Sequence, residues 1–139
     1  MPSFQKFNSF VEAAPEKVHN LGADTLKVML TLTAPVATNA VKADLTEIAA
    51  GNGYTAGGTQ SAQSSSAQTS GVYKLVIADV VFTASGSPMA AFRYAVLYND
   101  TATNKELIGF WDYGSSLTLG VAETLTVDFD GTNGVLTIT

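Results

Sequence analysis

Residues 72–82, VYKLVIADVVF, decide the fold, and residues 91–98 (AFRYAVLY), 106–114 (ELIGFWDYG) and 124–130 (TLTVDFD) repeat their character. Each run is rich in β-branched and aromatic side chains and is bounded by Gly, Ser, Asn or Asp. Such side chains pack well on a pleated surface, so these runs read as strands. Between residues 72 and 84 both faces are apolar: Val76, Val80 and Phe82 on one, Leu75, Ile77 and Val81 on the other. That pattern predicts a central strand or one between packed sheets, with Asp79 interrupting its second face. Phe92, Tyr94, Val96 and Tyr98 then share a face, opposite Arg93, Ala95 and Leu97. After a polar turn at 99–105, Leu107, Ile108, Phe110, Trp111 and Tyr113 resume the sheet.

Towards the C-terminus, Leu125, Val127 and Phe129 alternate with Thr124, Thr126 and Asp128. A turn near Thr132–Gly134 predicts a hairpin in which Phe129 opposes Leu136 and Val127 opposes Ile138. Upstream, Leu26, Val28, Leu30 and Leu32 alternate with Thr25, Lys27, Met29 and Thr31, the period of a half-buried strand. Next, Asp44 followed three residues later by Glu47 resembles a capping box, and Leu45, Ile48 and Ala49 make an apolar face that Gly51 would stop. The expected fold is therefore all-β and mainly antiparallel, a two-sheet sandwich or jelly-roll-like small barrel with one short helix near residues 44–50. With 139 residues the chain suits one β domain at 21–139, preceded by a segment at 1–20.

That segment holds Phe4, Phe7 and Phe10 among mostly polar neighbours, with Pro15 interrupting their helical spacing. Two placements stay open: packing on its own domain, or docking as an arm on a neighbouring subunit. Phe4, Phe7 and Phe10, with Tyr54 in its glycine-rich turn (Gly51, Gly53, Gly57, Gly58), are the candidate protein–protein contacts. Removing residues up to 17 is expected to leave the β domain folded and to weaken partner binding. Residues 61–70, SAQSSSAQTS, read as a solvated loop or exposed edge strand, with an interaction surface as the alternative.

Little in the chain points to chemistry. There is no Cys and one His, His19, so thiolate and poly-histidine metal sites are ruled out. Residues 128–134, DFDGTNG, alternate aspartates as a calcium loop does, but Asn133 stands where such a loop needs Gly. A turn accounts for the same residues. GNGYTAGG at 51–58 follows a predicted helix instead of opening one, so it is no phosphate-binding fingerprint. Asn99 begins a glycosylation sequon, Asp112 and Asp128 are candidate paired carboxylates, and Trp111, Tyr113, Tyr94 and Tyr98 are a candidate sugar platform; core packing explains the aromatics equally well. No enzyme activity, cofactor or metal is expected. Seven Lys and Arg against twelve Asp and Glu leave no basic stripe for nucleic acid. No apolar run reaches bilayer-spanning length and no export signal is evident, so no membrane association is expected.

Residues 19–31 (HNLGADTLKVMLT), 43–58 (ADLTEIAAGNGYTAGG), 64–86, 92–119 (FRYAVLYNDTATNKELIGFWDYGSSLTL) and 126–138 (TVDFDGTNGVLTI) resemble a family of small structural proteins of tailed bacteriophages. The resemblance implies a virion component, a capsid decoration or cement protein on the outside of the shell, made in the host cytoplasm. Its implied partners are the major capsid protein and further copies of itself. A tail or fibre module that binds host-surface carbohydrate is the alternative. No catalytic residues accompany the pattern. An acidic chain with broad Ser, Thr and Ala surfaces suits an exterior position, where repetition multiplies modest contacts.

Overall fold

A computed structural model describes residues 2–139. Its elements run β1 (Gln5–Lys6), α1 (Phe10–Ala13), β2 (Leu26–Thr31), β3 (Thr59–Gln60), β4 (Gln63–Thr69), β5 (Val72–Ile77), β6 (Val80–Thr83), β7 (Phe92–Asn99), β8 (Leu107–Leu117), β9 (Thr124–Val127) and β10 (Leu136–Ile138). A 3-10 turn at Lys42–Asp44 lies between β2 and β3. The strands form three sheets, ordered β1-β8-β7-β2-β3, β10-β5-β4 and β6-β9, and every pairing is antiparallel. The mainly antiparallel β expectation therefore holds. Among the described residues the sheets do not close into a barrel or jelly roll.

Two cores follow from the alternation of side chains. On one face of the five-stranded sheet, Leu26, Val28, Leu30, Leu97, Ile108 and Trp111 meet Leu75, Ile77, Val80, Phe82, Val127 and Leu136 from the other two sheets. On its opposite face Met29, Tyr94, Val96, Tyr98, Leu107 and Phe110 form a second cluster with Phe7, and Leu45 packs against it. β2 is thus buried on both faces, not half-buried as its period suggests. An extra residue at Ile108 in the β7–β8 ladder, where Leu97 pairs Gly109 but Tyr98 pairs Leu107, shifts the alternation of β8 by one, so that Leu107 and Phe110 both reach the second core while Ile108 and Trp111 reach the first.

Three local expectations fail, each for a visible reason. The 72–84 run is two strands: the Ala78 amide bonds the Ala62 carbonyl at 2.8 Å, and the Asp79 carboxylate accepts the Phe129 amide at 2.8 Å. β6 leaves β5's sheet at this break and pairs β9. The C-terminal hairpin does not form either, because β9 pairs β6 whereas β10 pairs β5. Asp130 closes the intervening turn on itself, accepting the amides of Thr132 and Asn133 at 2.8 Å each. Gly134 (φ +82°) then brings the chain against β5, where Val135 donates to the Leu75 carbonyl at 2.7 Å. A Cβ on Gly134 would lie 2.6 Å from that carbonyl oxygen, so only glycine permits the approach.

The helix near 44–50 is absent. Asp44 is the last residue of the 3-10 turn, and its carboxylate reaches back to the amides of Ala40 and Val41 at 2.9 and 3.2 Å. Those bonds hold its carboxyl below the ordinary range. Two turns of helix are marginal in isolation, and here Glu47 instead forms a β-bridge with Thr31 while the Ile48 amide bonds the Leu30 carbonyl. The predicted apolar face splits accordingly: Ile48 is buried, Leu45 half-buried and Ala49 exposed. The helical turn that does form is α1, begun at Phe10 and followed closely by Pro15.

Candidate functional site

The four predicted contact residues lie mostly inside the protein. β1 lies along the edge of β8, with Gln5 opposite Phe110 and Lys6 opposite Gly109, and this sends its flanking phenylalanines to opposite sides of the sheet. Phe4 lies over Gly109 and beside Trp111, ring centroids 5.3 Å apart. Phe7 is fully buried against Phe110 at 5.1 Å, and Phe10 is buried beside the His19 ring at 5.5 Å. Tyr54 is buried in the main core. Within the single chain Phe7, Phe10 and Tyr54 are buried, and of the four only Phe4 stays half-exposed. Residues 2–20 pack on their own domain, with Phe7 helping to build the second core.

What the segment offers outward is the wall of a groove. Phe10, Val11 and Ala14 line one part of it, residues 19–22 another, and Ser66, Tyr73 and Ile138 a third. Its volume is about 880 Å³, and it is open to solvent. Val11 is 58% exposed and Ile138 45%, so two large apolar side chains stand beside it uncovered. Lys6 and Lys17 also line it. Among the described residues Lys27, Lys42, Arg93 and Lys105 hold ion pairs and Lys74 donates to the Thr132 carbonyl, whereas Lys6 and Lys17 hold no acidic partner. Lys6 and Lys17, the two lysines with neither an ion pair nor a side-chain hydrogen bond among the described residues, therefore both line one apolar groove. Sequence reading missed this surface, because pairing of a lysine is a tertiary property.

The remaining polar clusters hold loops. Glu47 accepts from the Tyr54 hydroxyl at 2.8 Å, the Gly57 amide at 2.9 Å and Lys42 Nζ at 3.2 Å. Partial burial opposes its charge, but these hydrogen bonds outweigh that cost and keep the carboxyl below its ordinary value. Burial pushes the Tyr54 hydroxyl far above its usual range. The Arg93 guanidinium grips Asp112 through two bonds of 2.8 and 3.0 Å and depresses its carboxyl. Asp112 is thus tied to a cation and to the amide of Gly114.

His19 is buried, and its Nδ1 accepts from Asn99 Nδ2 at 3.0 Å. The same Asn99 nitrogen donates to Asp24 at 2.6 Å, and its Oδ1 accepts the amides of Thr101 and Ala102. Asn99 is fully buried with its Nδ2 bonded to His19 and Asp24, so this fold has no room for a glycan on it. Trp111, Tyr94 and Tyr98 are core residues, leaving Tyr113, 52% exposed, as the one open member of the supposed sugar platform. Tyr113 borders a smaller cavity of about 250 Å³ with Arg93, Trp111 and Leu125. No group of three or more His, Cys, Asp or Glu side chains converges as metal ligands among the described residues, and no helix there is long and apolar enough to cross a membrane. No protein family, curated protein or solved structure matches the chain.

Proposed function

We propose that this protein is a virion structural protein, a capsid decoration or cement protein that binds the outside of the major capsid shell and stabilises it. The resemblance of residues 19–138 to small phage structural proteins supports the particle. The groove supports the mode of attachment: apolar walls with Val11 and Ile138 exposed, and Lys6 and Lys17 free to meet acidic groups. A segment of capsid protein carrying one or two acids beside apolar residues fits that chemistry. Each such contact is modest, and repetition over a closed shell multiplies it.

Counting copies per particle by quantitative mass spectrometry of purified virions tests the reading. Hundreds of copies spread over the shell are expected; a handful at one vertex overturns it. Lys6→Glu together with Lys17→Glu is expected to weaken shell binding without loss of fold, and unchanged binding removes the groove from the proposal. The glycan-binding alternative has Tyr113 as its remaining exposed aromatic. A glycan-array signal lost on Tyr113→Ala would favour it over the capsid role.

A further inference from the structure

Among the described residues β4 is the longest strand at the end of a sheet. It spans seven residues, Gln63–Thr69, and lies at the end of the order β10-β5-β4, with no strand beyond it among the described residues. The other edge strands have two residues (β1, β3), three (β10) or four (β6, β9). Open edges are usually blunted by charge, Pro or shortness, because their unpaired amides and carbonyls template another strand. β4 reads QSSSAQT, with no charge and no Pro, in a chain of net charge −5.

The edge is also well supported. Ser70 and Gly71 both have positive φ (51° and 81°), the requirement of a tight two-residue hairpin, and Thr69 pairs Val72 across it. The Leu75 carbonyl bonds Val135 on the opposite side of β5, so the pair Ser66–Leu75 carries no hydrogen bonds between β4 and β5. By the same alternation the backbone N–H and C=O groups of Ser66 and Gln68 point away from β5, into the open edge.

We infer that β4 pairs with β4 of a second copy, antiparallel about a two-fold axis at Ala67. Centred there, Ser66 of each copy exchanges backbone hydrogen bonds with Gln68 of the other, and the small Ala67 side chains face each other. Ser65 stands opposite Thr69, a hydroxyl pair that favours cross-strand contact. Nothing charged opposes anything charged, so the self-pairing carries no like-charge cost despite the net charge. The two three-stranded sheets become one of six strands. This gives a surface to the self-association named above, but it does not depend on the virion role.

Sedimentation of the isolated full chain over a concentration series tests it, with amide hydrogen exchange as a second readout. A reversible monomer–dimer equilibrium is expected, with slower exchange at Ser66 and Gln68 as concentration rises. Gln68→Pro removes an outward amide and blocks approach without touching a bond to β5, and the dimer is expected to disappear while the thermal melt stays cooperative. Ala67→Lys puts two cations face to face and is expected to abolish the dimer at low salt; this variant decides the matter if Gln68→Pro does not fold. A monomer at every concentration, or an oligomer that both variants leave intact, overturns the inference. A dimer that fails to bind particles would count against the proposed function alone.

Discussion

The Tyr54 hydroxyl lies 2.8 Å from the Glu47 carboxylate while accepting the Leu30 amide at 3.2 Å, so one phenol joins the 40–58 loop to the C-terminal end of β2. Tyr54→Phe keeps the ring but leaves buried polar groups unpaired. A loss of about 1–3 kcal/mol of stability is expected, the cost of an unsatisfied buried group, read from the urea midpoint at unchanged slope. Equal stability in the variant would show that the latch contributes nothing.

Glu47 adds a pH dependence. Its carboxyl is held below the ordinary value, so the folded state binds protons less readily than the unfolded chain. Its stabilisation is therefore complete above the ordinary carboxylate range and is lost as pH falls through the lower folded value. Glu47→Gln is expected to flatten the acid limb of the stability–pH curve. Parallel curves for variant and wild type would contradict this.

His19 acts over a different window. Burial lowers its pKa, opposed in part by the charges of Glu106 and Asp24. Stability owed to the neutral ring is present above the ordinary imidazole value of about 6.5 and declines as pH falls through the depressed folded value. Protonating Nδ1 also breaks the bond from Asn99. His19→Gln is expected to lose this decline between roughly neutral pH and pH 5, with urea midpoints across that range as the measure.

Phe7 is expected to behave as a core residue. Phe7→Ala should cost about 3–5 kcal/mol, the range for a fully buried phenylalanine. Truncation through Lys17 should destabilise the whole domain, visible as a lowered melting temperature. A truncated chain that melts like the full one would restore the view of an independent arm.

Gly109 and Phe4 should be coupled. A Cβ at Gly109 would occupy the space of the Phe4 ring. Gly109→Ala is expected to destabilise the wild type more than it destabilises a Phe4→Ala background. Additive losses in the double-mutant cycle would show that the two do not share that space.

Strand positions were legible in the sequence where a period ran unbroken. Val72–Ile77, Phe92–Asn99 and Leu26–Thr31 form strands where the β-branched and aromatic runs place them. The faces were legible only in part: Val127, Phe129 and Leu136 are buried, but Ile138 is exposed, and the irregularity between Phe92 and Tyr94 sends Phe92 to the other core from Tyr94, Val96 and Tyr98. The helix near 44–50 misled because a capping pair and three apolar residues are weak local preferences. Bridging to Thr31 and binding Tyr54 and Gly57 give Glu47 more partners than two helical turns would. The burial of the candidate contact residues was not legible for another reason: aromatic side chains look the same in sequence whether they face a partner or their own core.

The sequence alone determined a mainly antiparallel β chain, because alternation and β-branching are local properties that survive any arrangement of the strands. It also bounded the chemistry, since a chain without Cys and with one His carries few ways to build a site. Only the tertiary structure decided which strands meet. β9 and β10 adjoin in sequence yet enter different sheets, because Asp130 closes the turn and Gly134 admits the Leu75 carbonyl. It likewise buried Phe7 and left Lys6 and Lys17 beside an open groove. Burial and charge pairing depend on residues distant in the chain, so no local pattern could specify them.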